Sequence, residues 1–169
     1  MFGDAPRFFK AMAKILDRIS SAIARVTGWA VVALATALVL SLLISVFFRY
    51  VVGQALSWPE EIALILFAWL ILLSGSLGVR EGFHVRLTIL TSRLPEPLQK
   101  LVNRLVTIVI GLFGLVLVYS GWDLVVRTAQ HLTPTLRLPL DWLNYSAPVC
   151  GALIAIHCLS SLFAPGEEK

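Results

Sequence analysis

Four stretches of the chain carry no charged side chain: Val26 to Phe48 (23 residues), Ile62 to Val79 (18), Leu105 to Trp122 (18) and Trp142 to Phe163 (22). An α-helix needs roughly 20 residues to cross about 30 Å of hydrocarbon, and a charge at its centre costs about 2.5–3.5 kcal/mol on insertion scales. The runs therefore predict an all-α membrane protein with four transmembrane helices, over about 26–48, 58–79, 105–122 and 142–163. An open sheet would leave backbone donors unpaired in lipid, and a barrel would alternate apolar with polar residues. The first run follows a basic segment, as a secretion signal does. At 23 residues it exceeds a signal core of about 7–15 residues and is expected to be retained.

Two segments outside the spans are also patterned. Phe8, Met12, Ile15, Leu16, Ile19 and Ile23 recur at helical spacing, with Arg7, Lys10, Lys14 and Arg18 between them. Residues 1–25 are expected to form an amphipathic helix on the cytoplasmic face of the bilayer, its cations among anionic headgroups. The segment REGFHVRLTILTSRLPEPLQKLVNR mixes apolar residues with five cations and is expected to hug the membrane, broken at Leu94-Pro95-Glu96-Pro97, where two prolines remove donors. Residues 164–169 form a short tail, and the chain reads as one domain.

Composition agrees with this solvent: 58% of residues are hydrophobic, only 14% are charged, and the mean hydropathy is +0.85. Of the 14 Lys and Arg, only Arg49, Arg127 and Arg137 fall in the first and third connecting loops; the other eleven lie in the N-terminal segment, the second loop and the tail. By the positive-inside rule both termini are cytoplasmic and the loop before Glu60 is outside. The net charge of +4 is thus a topology signal, not a nucleic-acid footprint.

Candidate chemistry within the spans is sparse. His157 and Cys158 are adjacent, but consecutive helical positions diverge by about 100°, and a haem between helices would need a second intramembrane histidine. Cys150 and Cys158 sit eight apart on one helix, too far for a disulfide. No cofactor, metal or catalytic site is expected, and His157 is read as a packing residue. Two small-residue stripes, Ser74-Gly78-Gly82 and Ala147-Gly151-Ala155, are expected to let helices approach closely, within the chain or against another subunit. Pro148 either begins the last helix or kinks it.

The most polar corner is Ser57-Trp58-Pro59-Glu60-Glu61. Ser57 with Glu60 fits a capping box, Pro59 suits a first turn, and Trp58 suits the headgroup level. Glu60 is accordingly expected to cap its own helix, leaving Glu61 free to meet a cation, either Arg49 or a basic residue of a partner.

Taken together, these residues resemble a known family. Arg49-Tyr50-Val51, the SWPEE corner, Trp69, Gly75, Arg80, Gly82, His84, Val85, Arg86 and Leu94-Pro95 are similar to the small membrane subunit of tripartite ATP-independent periplasmic (TRAP) transporters. The likeness continues through Thr133-Pro134, Leu136, Pro139, Trp142, Tyr145 and Pro148, with Thr88 and Arg137 departing from it. The resemblance implies an inner-membrane protein with a larger TRAP membrane subunit as partner, and indirectly a periplasmic solute-binding protein. That machinery imports an organic acid or related solute on a cation gradient, usually sodium. It further implies interface or motif roles for Arg49, Tyr50, Trp58, Glu60, Glu61, Trp69, Gly75, His84, Arg86, Pro134, Pro139 and Tyr145. A free-standing small transporter would instead carry a mid-membrane carboxylate, and a membrane redox subunit would carry paired histidines.

Overall fold

The structure, a computed structural model, describes the backbone of residues 5–91 and 95–163 and the side chains of 14–81, 95 and 97–162. It consists of α1 (Ala5–Phe47), α2 (Trp58–Thr91), α3 (Glu96–Thr128), a four-residue α4 (Asp141–Asn144) and α5 (Ser146–Phe163). Four helical stretches are long and apolar enough to cross a membrane: Lys14–Val52, Trp58–Glu81, Pro97–Thr128 and Asp141–Leu162.

The helices outrun the charge-free runs. α1 is one helix of 43 residues, so the amphipathic N-terminal segment and the first apolar run share an axis about 64 Å long. No proline interrupts it between Pro6 and its end, and Gly28 alone is too weak a breaker. α2 likewise continues through Arg80 to Thr91. α3 starts where the sequence places its two prolines: Pro95 stands at its N-cap and Pro97 lies in its first turn. The end of α1 widens into a π-helical turn over Phe48–Val52, closed by Gly53 at φ 73°, a left-handed backbone that glycine adopts without a Cβ penalty.

The spans form an open row rather than a closed bundle. α1 packs on α2, α2 on α5 and α5 on α3; α1 also touches α5, but among the described residues neither α1 nor α2 forms a substantial seam with α3. α5 is the most enclosed span, and the core clusters on its Cys150, Ile154 and Cys158, with Leu72, Val79, Ile110 and Leu117 against them. Its seam with α3 is set by absent side chains. A Cβ on Gly151 would stand 2.5 Å from the Gly114 carbonyl oxygen and 2.8 Å from the Val118 nitrogen, so the backbones are closer than any side chain permits. Pro148 lies in the first turn of α5 and packs against Gly121.

The pattern of burial is that of a protein turned to lipid. Every buried described residue of α1 is a hydroxyl residue, namely Ser20, Thr27, Ser41 and Ser45, while Val26, Trp29, Val32, Val39, Leu43 and Phe47 are exposed. In a bilayer the aliphatic side chains gain nothing by facing inward, whereas small hydroxyl residues allow close helix contact.

Candidate functional site

Most of the polar residues that the sequence singles out meet at the end of the row where α1 stops and α2 begins. Arg49, in the π turn, reaches Glu60 in the first turn of α2: Nη2 lies 2.6 Å from Oε1, with both side chains about half exposed, at 50% and 57%. Glu61, one position on and about 100° around the helix, faces a different neighbour. Its Oε1 accepts the Thr135 N–H at 2.6 Å and its Oε2 the Leu136 N–H at 2.9 Å.

This reverses the expectation for the two acids. Glu60 is the residue that meets Arg49, and Glu61 is the one that caps backbone, although of a distant loop and not of its own helix. No hydrogen bond from the Glu60 N–H to the Ser57 hydroxyl is found among the described residues, and the Glu60 carboxylate is held by Arg49, so the capping-box reading of Ser57 and Glu60 does not hold. The physical reason is the length of the π turn and of the loop after it, which bring the Arg49 side chain back over the Glu60 face.

The loop that Glu61 holds is tightly built. Thr133 N–H donates to the Leu138 carbonyl at 2.8 Å, Leu138 N–H to the Thr133 hydroxyl at 3.0 Å, and Leu140 N–H to the His131 carbonyl at 2.9 Å. Pro134 and Pro139 lie within this frame, and Pro139 pairs with Leu132 in an isolated antiparallel bridge. Arg137, at φ 52°, is the one non-glycine residue with positive φ among the described residues. Deeper, the Trp69 indole donates to the Trp142 carbonyl at 2.7 Å, tying α2 to α4. The Asn144 amide donates to the Thr128 hydroxyl at 2.7 Å, and Tyr145 stands over Trp122 with ring centroids 6.4 Å apart.

Other sequence-selected residues stay outside this constellation. Tyr50 is 79% exposed and contacts none of these groups, as a headgroup-level tyrosine would be placed. Trp58 is partly buried beside the fully buried Pro59, whose carbonyl accepts the Ser41 hydroxyl at 2.9 Å. Gly75 lies far down α2 on an exposed face, and the side chains of His84 and Arg86 lie outside the described residues. Of the two small-residue stripes, Ala147 and Gly151 pack on α3, whereas a Cβ at Gly78 would meet nothing.

A second polar knot at the opposite end joins three helices. Arg80 donates through Nη1 to the Ser20 carbonyl and through Nη2 to the Ser21 hydroxyl, both at 2.6 Å, and the Ser20 hydroxyl lies 2.8 Å from His157 Nδ1. His157 thus serves a junction of α1, α2 and α5. The signal that could have located the Ser20 side of this knot was available: hydroxyls at 20, 27 and 41 are spaced by multiples of seven along one face of α1. The backbone acceptors and donors had no signal at all.

The sequence profile of the family described as "Tripartite ATP-independent periplasmic transporters, DctQ component" matches residues 38–165. The chain belongs to this family. It is 29% identical over 116 residues to the sialic acid TRAP transporter small permease protein SiaQ of Vibrio cholerae, covering 68% of this chain and 66% of that one. It is 32% identical over 114 residues to the C4-dicarboxylate TRAP transporter small permease protein DctQ of Rhodobacter capsulatus, covering 66% of this chain and 50% of the relative. The match therefore spans two thirds or less of the length of these small permeases. A third likeness, 28% over 121 residues, is to the sialic acid TRAP transporter permease protein SiaT of Haemophilus influenzae, where it covers 67% of this chain but only 18% of SiaT. The chain is a multi-pass membrane protein of a transporter permease family, in keeping with the bacterial inner membrane.

Proposed function

We infer that this chain is the non-catalytic scaffold of a TRAP transporter, bound in the membrane to a larger permease subunit that carries the solute inward. The observation that carries the reading is the SiaT likeness: a stretch that matches 67% of this chain is less than a fifth of a permease polypeptide. A domain covalently joined to a large permease in one protein is expected to associate with one as a separate chain in another. The open row supports this, because α2 has a free face on which a foreign helix can lie. On that face Ser74, Gly75 and Gly78 are exposed beside Leu64, Phe67 and Ile71, the composition that favours close helix approach in lipid.

The solute is an organic acid or a related compound, delivered by a periplasmic receptor and drawn in by a cation gradient, sodium in this reading. Relatives named for sialic acid and for C4-dicarboxylates match at similar identity, which supports a subunit that does not select the solute. Copurification in mild detergent tests the association. A larger multispan permease should accompany the chain, and Gly78→Leu should reduce its yield without lowering the melting temperature of the chain alone; recovery of a homo-oligomer alone would overturn the scaffold reading. Reconstituted by itself, the chain should move no organic acid under any imposed cation gradient.

A further inference from the structure

We propose that α1 carries a binding site for one anionic glycerophospholipid, formed by Arg18 and Arg25 on either side of Ala22 and floored by Trp29. On a helix these four positions fall within about 60° of one another, and Arg18 and Arg25 are about 10.5 Å apart along the axis. Arg18, Ala22 and Arg25 are exposed, and Trp29 is 74% exposed. The alanine leaves a notch between two guanidinium groups. Arg25 is the last charge of α1, so the stripe runs from cation to indole to the aliphatic Val32 in the order of phosphate, glycerol and acyl chain.

The orientation of this stripe is fixed by the knot on the other side of the helix. Ser20, held by Arg80 and His157, lies about 140–180° around the axis from all four positions, so α1 cannot roll the arginines onto the row. Arg18 and Arg25 form no ion pair among the described residues. Asp17, the nearest acid on α1, directly precedes Arg18 but points about 100° away from it around the axis, and it lies two turns from Arg25. Two unneutralised cations favour a phosphodiester of net charge −1 and repel the ammonium of a zwitterionic headgroup. The site goes beyond the amphipathic reading of residues 1–25: it is a discrete notch on a helix that runs unbroken into the first apolar span, and it needs no partner subunit.

The test uses the full chain alone, in nanodiscs of phosphatidylcholine with or without phosphatidylglycerol, reading lipid retention by native mass spectrometry together with the melting temperature. Phosphatidylglycerol should be retained over phosphatidylcholine and should raise the melting temperature, while soluble glycerol phosphate should do neither. Each of Arg18→Gln and Arg25→Gln should lower retention about fivefold, and the double variant about 25-fold. Lys100→Gln/Arg104→Gln, at the same end of α3, should leave retention unchanged. Retention of phosphatidylglycerol by the double variant, or equal loss in the α3 control, overturns the site; the single variants decide the matter if the double variant does not insert.

Discussion

Adjacent carboxylates on one helix turn face different neighbours, and the two here do different work. Glu60 and Arg49 form a half-exposed pair, a class worth about 0–1 kcal/mol. A double-mutant cycle of Glu60→Gln with Arg49→Gln, followed by thermal melting of the isolated chain, should therefore give a coupling of at most about 1 kcal/mol. Glu61→Gln should lower the melting temperature more than Glu60→Gln does, because the two N–H donors of Thr135 and Leu136 each meet a separate carboxylate oxygen, and the Gln NH2 in place of one oxygen would set donor against donor. Proteolysis within residues 133–138 should accelerate in the same variant. Arg137 offers a test of opposite sign. Its left-handed backbone costs an L-residue roughly 1 kcal/mol or more, so Arg137→Gly should raise stability by about 0.5–1 kcal/mol in the same melting assay.

Helix pairing in this chain is governed by where side chains are missing. At Gly151 a methyl group would collide with the backbone of α3, so Gly151→Ala should separate α3 from α5 and cost about 1–3 kcal/mol, as overpacked seams do. Gly78→Ala meets nothing and should leave the melting temperature of the isolated chain unchanged or slightly raised. The two stripes look alike in the sequence, and a difference between them in melting would follow only from the row arrangement. α1 follows the same rule with hydroxyls in place of glycine: Ser41, near its C-terminal end, reaches the Pro59 carbonyl, and Ser20, in its first half, lies within hydrogen-bond distance of His157, which anchors the helix to its neighbours at two separate points.

In the assembled molecule the row leaves α1 and α3 mostly exposed and α5 the most enclosed of the spans, the form of a slab. We propose its orientation, both termini cytoplasmic, from the eleven cations in the N-terminal segment, second loop and tail against three in the first and third loops. Cysteine placed at Gln54 or Thr135 should react with an impermeant thiol reagent added from the periplasm, and cysteine at Lys100 should not. The reverse pattern would overturn the assignment of both termini to the cytoplasm.

The solvent of this protein, its number of spans and the positions of its breaks were legible in the linear chain, because each is a sum over neighbouring residues: apolar runs of 18 to 23 residues, and two prolines at 95 and 97. The polar corner at residues 57–61 was also legible as a place, and so was the likeness to its family. What each acid there touches was not. That depended on a 100° step between consecutive positions and on a loop more than 70 residues away folding back over the start of α2, and the donors it offers are backbone N–H groups that every residue type carries. The choice between a closed bundle and an open row was likewise decided only in three dimensions. A glycine becomes a seam when another helix presents its own gap at the same depth, as Gly114 does for Gly151, and remains an open face when none does, as at Gly78.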